Sequence, residues 1–201
     1  MIYRTIIKRF LDLLFAIVAL PFVLVICLIT APLIYIEDRG SIFYKAKRRG
    51  LNGRVFTMYK LRSMRMNAPD IRNEDNSTYN SPNDPRITKI GRILRKTSID
   101  ELPQVFNILK GDMSWVGPRP ITTDKPLEEY DLKRRKRLTV RPGITGYQQA
   151  FFRNSIDQEK KFELDAEYAE KLSFLLDLKI VLKTVQTVVM QNNIYNSEEK
   201  E

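Results

Sequence analysis

Two adjacent carboxylates, Asp100 and Glu101, stand out in RKTSIDELPQVFNILKGDMSWVGPRP, the stretch from Arg95 to Pro120. The apolar residues that follow, Leu102, Val105, Phe106 and Leu109, recur at i, i+3, i+4 and i+7 and predict one buried face of a short helix. Gly111 supplies a natural stop just past the last of them. The acids then sit at a helix N-terminus, where the macrodipole and free N–H groups favour an ionised carboxylate and attract phosphate. A carboxylate in that place can be a nucleophile or a metal ligand. A plainer reading stands beside this one. Ser98 and Glu101 have the S-x-x-E spacing of a capping box, in which the acid only satisfies backbone donors. Pro103 deletes a backbone hydrogen bond, so either the first turn is irregular or the helix starts at Pro103.

Composition narrows the chemistry. The 201 residues suit one domain with a real core. A net charge of +10 predicts an anionic partner: nucleic acid, acidic lipid or a phosphorylated substrate. The chain has no histidine, which excludes His-based triads, His metal sites and an imidazole base. Proton transfer and metal ligation fall to Asp, Glu, Lys or Tyr. The single cysteine, Cys27, rules out an internal disulfide and fits a reducing compartment.

The elements that must position the acids begin with a nearly unbroken apolar run from Leu13 to Ile36. As a straight helix it reaches about 36 Å, enough to cross a hydrocarbon core of ~30 Å. Both flanks are basic, however, with Lys8 and Arg9 before it and Arg39, Lys45, Lys47, Arg48 and Arg49 after it, so both prefer the cytoplasm. With Pro21 near the middle, the expectation is a helix that bends there and leaves on the side it came from, rather than a single span. Asp12 is expected to pair with Arg9 or to cap a neighbouring element.

Beyond it, Ile42–Lys45 and Val55–Tyr59 predict a hairpin with an Asn52-Gly53 turn. Asn67 to Pro85 reads as a polar loop. Ile87–Arg95 predicts a helix with Lys89, Arg92 and Arg95 on one side, either lying on an anionic membrane or simply exposed. KRRKR, Lys133 to Arg137, predicts a solvated or lipid-facing basic patch; nucleic acid is disfavoured because no aromatic platform accompanies it. Lys160 to Met190 is the longest helical pattern, with Leu175, Leu178, Leu182, Val185 and Val189 expected as its packing face. The tail after Gln191 is polar.

SIDELPQVFNILKGDMSWVGPRP, together with RPGITG at Arg141 to Gly146, closely resembles the small monotopic phosphoglycosyl transferases of bacterial envelope biosynthesis. The likeness runs from Lys8 to about Lys183, in the minimal form without appended domains. It implies an α+β, predominantly helical fold: a re-entrant membrane helix over 1–38, a catalytic domain over 39–190 with a small β-hairpin and amphipathic interfacial helices, and a tail over 191–201. It also implies the bacterial inner membrane, cytoplasmic face. Many relatives place a Ser-Pro break deeper in the apolar segment, where this chain has Leu20-Pro21 and Pro32.

The implied reaction moves a phosphosugar from a UDP-sugar to polyprenyl phosphate and releases UMP, with Asp100 as nucleophile and Mg²⁺ held by Glu101 and Asp100. YKLRSM resembles a family string that brings Lys60 and Arg62 toward the site, though each also reads as an ordinary strand-end cation. Arg95 matches a family arginine, and with Arg119, Arg141 and Arg153 is expected to neutralise phosphate oxygens. Asp165 and Tyr168 match a D-x-x-Y pattern, with Asp165 as a second acid near the site. Ala150-Phe151-Phe152 and Gln148 depart from the family and reshape the donor-pocket wall. Expected partners are the UDP-sugar, polyprenyl phosphate and anionic lipids, and no nucleic acid. Downstream glycosyltransferases and a second copy of the chain are left open. The rival function is a basic, membrane-anchored binding protein whose acid pair is inactive; a D-x-D glycosyltransferase finds no D-x-D in the chain.

Overall fold

A run as apolar as Leu13–Ile36 satisfies its backbone groups internally by forming a helix. In the computed structural model, which describes residues 2–71, 79, 81, 83–152 and 155–190, that helix is α1, Lys8–Glu37, led in by a π-helical turn, Tyr3–Ile7. It runs as one helix through Pro21 and Pro32, uninterrupted at either proline. At 1.5 Å per residue it is a rod of roughly 45 Å. Its buried residues, Lys8, Asp12, Ala16, Val23, Cys27, Thr30 and Ile34, recur at spacings of three, four or seven and form a single stripe. Phe10, Phe15, Phe22, Leu28 and Ile36 are exposed. The rod therefore lies along the rest of the protein instead of leaving it.

Both ends of α1 are fastened to the same body. Near its start, Arg9 donates to the carbonyls of Ile108 (2.7 Å) and Leu109 (3.2 Å), while Asp12 accepts from the Ser114 hydroxyl (2.9 Å) and the Trp115 N–H (3.0 Å). Asp12 thus secures a neighbouring strand, as one of its two expected roles had it. Lys8, Tyr3 and Tyr168 all donate to Asp177. At the far end, Glu37 accepts from the N–H groups of Lys89 and Ile90, capping α2, Lys89–Thr97. Between these anchors, Val23, Cys27 and Ile34 pack with Leu61, Leu94 and Val105.

The hairpin forms with longer strands than its pattern suggested: β1, Phe43–Arg49, pairs antiparallel with β2, Val55–Leu61, from Phe43 opposite Leu61 to Arg49 opposite Val55. Asn52 (φ 54°) and Gly53 (φ 77°) take the left-handed conformation the turn requires. α2 rests on the backbone that follows β2, for a Cβ on Gly91 would stand 1.9 Å from the Ser63 carbonyl oxygen. A 3₁₀ segment, Ile99–Gln104, then leads into α3, Val105–Lys110, and Gly111 (φ 87°) ends it. This is the irregular first turn, with Pro103 inside it. The face buried on α3 is Val105, Asn107 and Ile108, rotated from the predicted stripe because Asn107 is drawn inward to bond β2.

A second, unpredicted sheet pairs β3, Ser114–Val116, parallel with β4, Gly143–Thr145. It joins the two resemblance-bearing strings backbone to backbone: a Cβ on Gly143 would lie 2.1 Å from the Gly117 nitrogen, and one on Gly146 2.1 Å from the Gly117 oxygen. The Gly143 N–H is taken by the Pro118 carbonyl (3.0 Å), so it is committed to the fold.

The C-terminal half corrects three expectations. Lys160–Met190 is two helices, α6 (Gln158–Lys171) and α7 (Phe174–Val189), because Ser173 caps a new start. The predicted packing face of α7 is outward, with Leu175 75% and Leu182 64% exposed, while Asp177, Ile180 and Thr187 face inward. Polar residues win the inner side because Asp177 and Thr187 find partners there in Tyr168 and the Ala150 carbonyl. KRRKR forms α4 (Leu132–Arg137), and it is not a free patch: Lys133, Arg134, Lys136 and Arg137 pair with Glu163, Glu159, Glu170 and Asp165 of α6. α5 (Tyr147–Phe151) completes the order. Residues 72–78, 80, 82, 153–154 and 191–201, on which part of the expected polar loop, Arg153 and the expected tail fall, lie outside the described residues.

Because both ends of α1 are fastened to one body, they are predicted to share one side of a bilayer. Single cysteines at Thr5 and Ser41, in a Cys27→Ser background, should both resist an impermeant thiol reagent in intact cells and both label once the membrane is opened. Labelling of the Thr5 position alone in intact cells would mean a true span.

Candidate active site

Asp100 and Glu101 sit in the first turn of the 3₁₀ segment, after Ser98 has turned the chain through a left-handed conformation (φ 59°). Ser98 makes no side-chain cap, and the Glu101 carboxylate does not return to it. Glu101 instead accepts from Lys60 Nζ of β2 at 2.6 Å, with Arg119 4.0 Å from the same oxygen. The capping-box reading therefore fails.

What places Lys60 there is Asn107. Fully buried, it accepts from the Tyr59 N–H (3.1 Å) and donates to the Thr57 carbonyl (2.7 Å), stitching β2 to α3 on either side of a peptide step. Strand alternation then sends Lys60 toward the acids. Its signal in the sequence was a lone polar residue within an apolar helical run.

The two acids differ electrostatically. Burial raises the Asp100 carboxyl, and the neighbouring Glu101 charge adds to this; Lys60, Arg95 and Arg119 pull back, leaving it at about 6. Burial would raise Glu101 as well, but Lys60 and Arg119, with hydrogen bonds from Lys60 and Gln104, outweigh it and hold this carboxyl below its usual range. The sequence reading made the helix N-terminus the controlling influence on Asp100; desolvation overrides it. One acid is firmly ionised, and the other changes state near neutrality, as a poised nucleophile does.

Four of the predicted residues, Asp100, Glu101, Lys60 and Arg119, come together, and Arg95 joins them. Arg95 Nε donates to Ser63 Oγ at 2.9 Å and its charge acts on Asp100. The others are elsewhere. Arg62 donates to the Ile34 and Asp38 carbonyls and pairs with the Asp38 carboxylate, so it closes the C-terminus of α1. Arg141 donates to the Gly111 carbonyl (2.9 Å), at the opposite end of α3 from the acids. Asp165 is buried against Arg137 at 2.5 Å, and Arg137 also donates to the Arg119 carbonyl (2.6 Å). Asp165 thus braces the segment carrying Arg119 from behind. Burial lifts its carboxyl to about 6, against Arg137. Arg153 lies outside the described residues. Sequence reasoning missed Gln104, Asn107 and Arg137; the last was hidden in a charge run that looked uniformly solvated.

An acid pair divided in this way and ringed by cations suits group transfer. The comparisons agree: the chain belongs to the bacterial sugar transferase family, whose profile matches residues 3–191. It is 46% identical over 189 residues to the uncharacterized sugar transferase EpsL of Bacillus subtilis, covering 94% of this chain and 90% of that protein. To the undecaprenyl-phosphate galactose phosphotransferase of Salmonella typhimurium it is 39% identical, over 86% of this chain and 40% of the relative. To the undecaprenyl-phosphate glucose phosphotransferase of Komagataeibacter xylinus it is 35% identical, over 94% of this chain and 37% of the relative. The chain spans nearly all of the first relative and about two fifths of the other two. It is a membrane-associated transferase.

The raised Asp100 carboxyl makes a stability prediction. A folded-state value near 6, above the ordinary 3.8, means that the ionised form is disfavoured in the fold. Asp100 then destabilises the protein above pH 6 and ceases to do so once protonated below pH 4. Asp100→Asn should raise Tm by several degrees at pH 7.5, on the order of 2 kcal/mol, and the gap should narrow as pH falls through about 6. A gap independent of pH would contradict the desolvation argument.

Proposed function

We propose that the protein transfers a phosphosugar from a UDP-sugar to polyprenyl phosphate, releasing UMP, on the cytoplasmic face of the bacterial inner membrane. The observation that carries this reading is the divided dyad: a buried carboxylate near pKa 6 beside one held ionised, ringed by Lys60, Arg95 and Arg119. An Asp100 oxygen attacks the β-phosphorus, the bond to the oxygen bridging the two phosphorus atoms breaks, and that oxygen leaves with UMP. An oxygen of the lipid phosphate then attacks the phosphorus of the aspartyl phosphosugar, releasing Asp100 and forming the polyprenyl diphosphosugar. Arg95 and Arg119 balance the phosphate charge, and Lys60 holds Glu101 ionised and in place.

Asp100 and Glu101 fit Mg²⁺ in the usual way for that ion, one or two carboxylates completed by substrate phosphates and water. Lys60 and Arg119 both approach Oε1 of Glu101, which leaves its other oxygen facing fewer cations. Among the described residues no group of three ligating side chains forms a protein-only cage. When bound, the ion screens diphosphate charge.

The names of the Salmonella and Komagataeibacter relatives support the acceptor and the phosphosugar chemistry. The outward apolar faces of α1 and α7, which meet where the Tyr3 and Phe174 rings touch at 5.9 Å, support a seat in one leaflet that brings the dyad to the depth of a lipid phosphate.

Purified protein with UDP-sugar alone should release up to one UMP per enzyme and gain a phosphosugar mass on the peptide containing Asp100. Asp100→Asn should abolish turnover while remaining folded, and wild-type rates should rise with pH through about 6 as the nucleophile ionises. No adduct, together with intersecting double-reciprocal plots, would point to direct attack by the lipid phosphate. UMP release that ignores the lipid phosphate would remove the proposed acceptor.

A further inference from the structure

The Asp100 site leaves unused a cavity of about 260 Å³ between the start of α1 and the β3–β4 pair. Its walls include Arg4, Lys8 and Asp12 from the helical side, and Ser114, Thr139 and Arg141 from the body. We propose that this cavity binds the phosphodiester headgroup of an anionic phospholipid.

Arg141 carries the argument. Its Nε is committed to the Gly111 carbonyl, and neither Nη hydrogen-bonds any described residue, so the outer edge of the guanidinium is available. A planar fork of that kind matches two oxygens of one phosphate. Arg4 lines the same cavity, held there by bonds from one Nη to the Thr139 carbonyl (2.8 Å) and hydroxyl (3.0 Å). Of the other charges, Lys8 is paired with Asp177 at 2.5 Å, and Asp12, hydrogen-bonded to Ser114 and Trp115, sets one negative charge against the two of Arg4 and Arg141. The unspent charge is therefore positive.

The size and setting choose the ligand. At about 260 Å³ the cavity lies below the roughly 300–1,000 Å³ of drug-sized pockets and suits a small polar group. The same stretch of helix exposes Ile6 (64%) and Phe10 (63%), an apolar surface along which acyl chains can lie. Basic pockets beside membrane helices take anionic headgroups by this combination. A free phosphate would meet the same donors without the apolar surface. The site is separate from the dyad, because Arg141 stands at the C-terminal end of α3 and Asp100 precedes its N-terminal end. The inference does not rest on the proposed reaction.

The full chain in a non-ionic detergent is titrated with short-chain phosphatidylglycerol, short-chain phosphatidylcholine, polyprenyl phosphate and inorganic phosphate, and the shift in Tm is read against each variant's own baseline. Phosphatidylglycerol should raise Tm saturably, whereas phosphatidylcholine and inorganic phosphate should not at equal concentration; a shift with polyprenyl phosphate, the proposed acceptor at the dyad, should be unchanged by Arg4→Gln and Arg141→Gln. Arg4→Gln and Arg141→Gln should each weaken the apparent Kd for phosphatidylglycerol at least fivefold. An equal shift with phosphatidylcholine, or an unchanged Kd in both variants, would overturn the proposal. So would an equal shift with inorganic phosphate, which would make the ligand a free anion, or a response confined to polyprenyl phosphate, which would give the cavity to the acceptor.

Discussion

Keeping two carboxylates side by side out of water is the constraint on which the rest of the structure depends. Each buried charge costs several kcal/mol unless partners are fixed in place beforehand, and neighbouring like charges add to that cost. Glu101 is relieved by Lys60, and Lys60 is delivered by a strand that Asn107 holds through two backbone hydrogen bonds. Asp100 is left only partly relieved, which is why it stays near neutrality. The reactivity proposed for Asp100 would be residual electrostatic stress, held in place by the hairpin, the 3₁₀ turn and α3.

Several of the chain's arginines are committed to backbone carbonyls of the fold. Arg9 and Arg141 bond the carbonyls at the end of α3, Arg62 those at the end of α1, and Arg137 bonds the Arg119 carbonyl while paired to Asp165. The guanidinium is suited to this work, since it offers five donors and loses its charge only with great difficulty. A strongly basic composition therefore overstated how much positive surface is available to a ligand.

The acid pair, the hairpin, the apolar helix and the stop at Gly111 were all legible because each is a local pattern. Sequence failed where tertiary partners decide. Nothing in RPGITG reveals that its glycines exist to let one backbone lie against another. The α7 stripe looked like a core face, yet the inward side is chosen by Asp177, a residue that periodicity counts as polar and outward. KRRKR looked solvated because its acidic partners lie more than twenty residues downstream, on α6. At the site, Lys60 was legible by its string, whereas the pKa of Asp100 came out differently because burial outweighs a helix end.

One consequence follows from the way Glu37 closes the first turn of α2. A rod of roughly 45 Å, gripped at Arg9 and Asp12 near one end and at Glu37 and Asp38 near the other, cannot slide along its axis without uncapping a second helix. That second helix carries Arg95, whose charge acts on Asp100. On the proposed function the apolar helix would then be a datum as well as an anchor: the height of the dyad would be measured along it, from a fixed edge, and not set by how deeply a loose globule happens to sink.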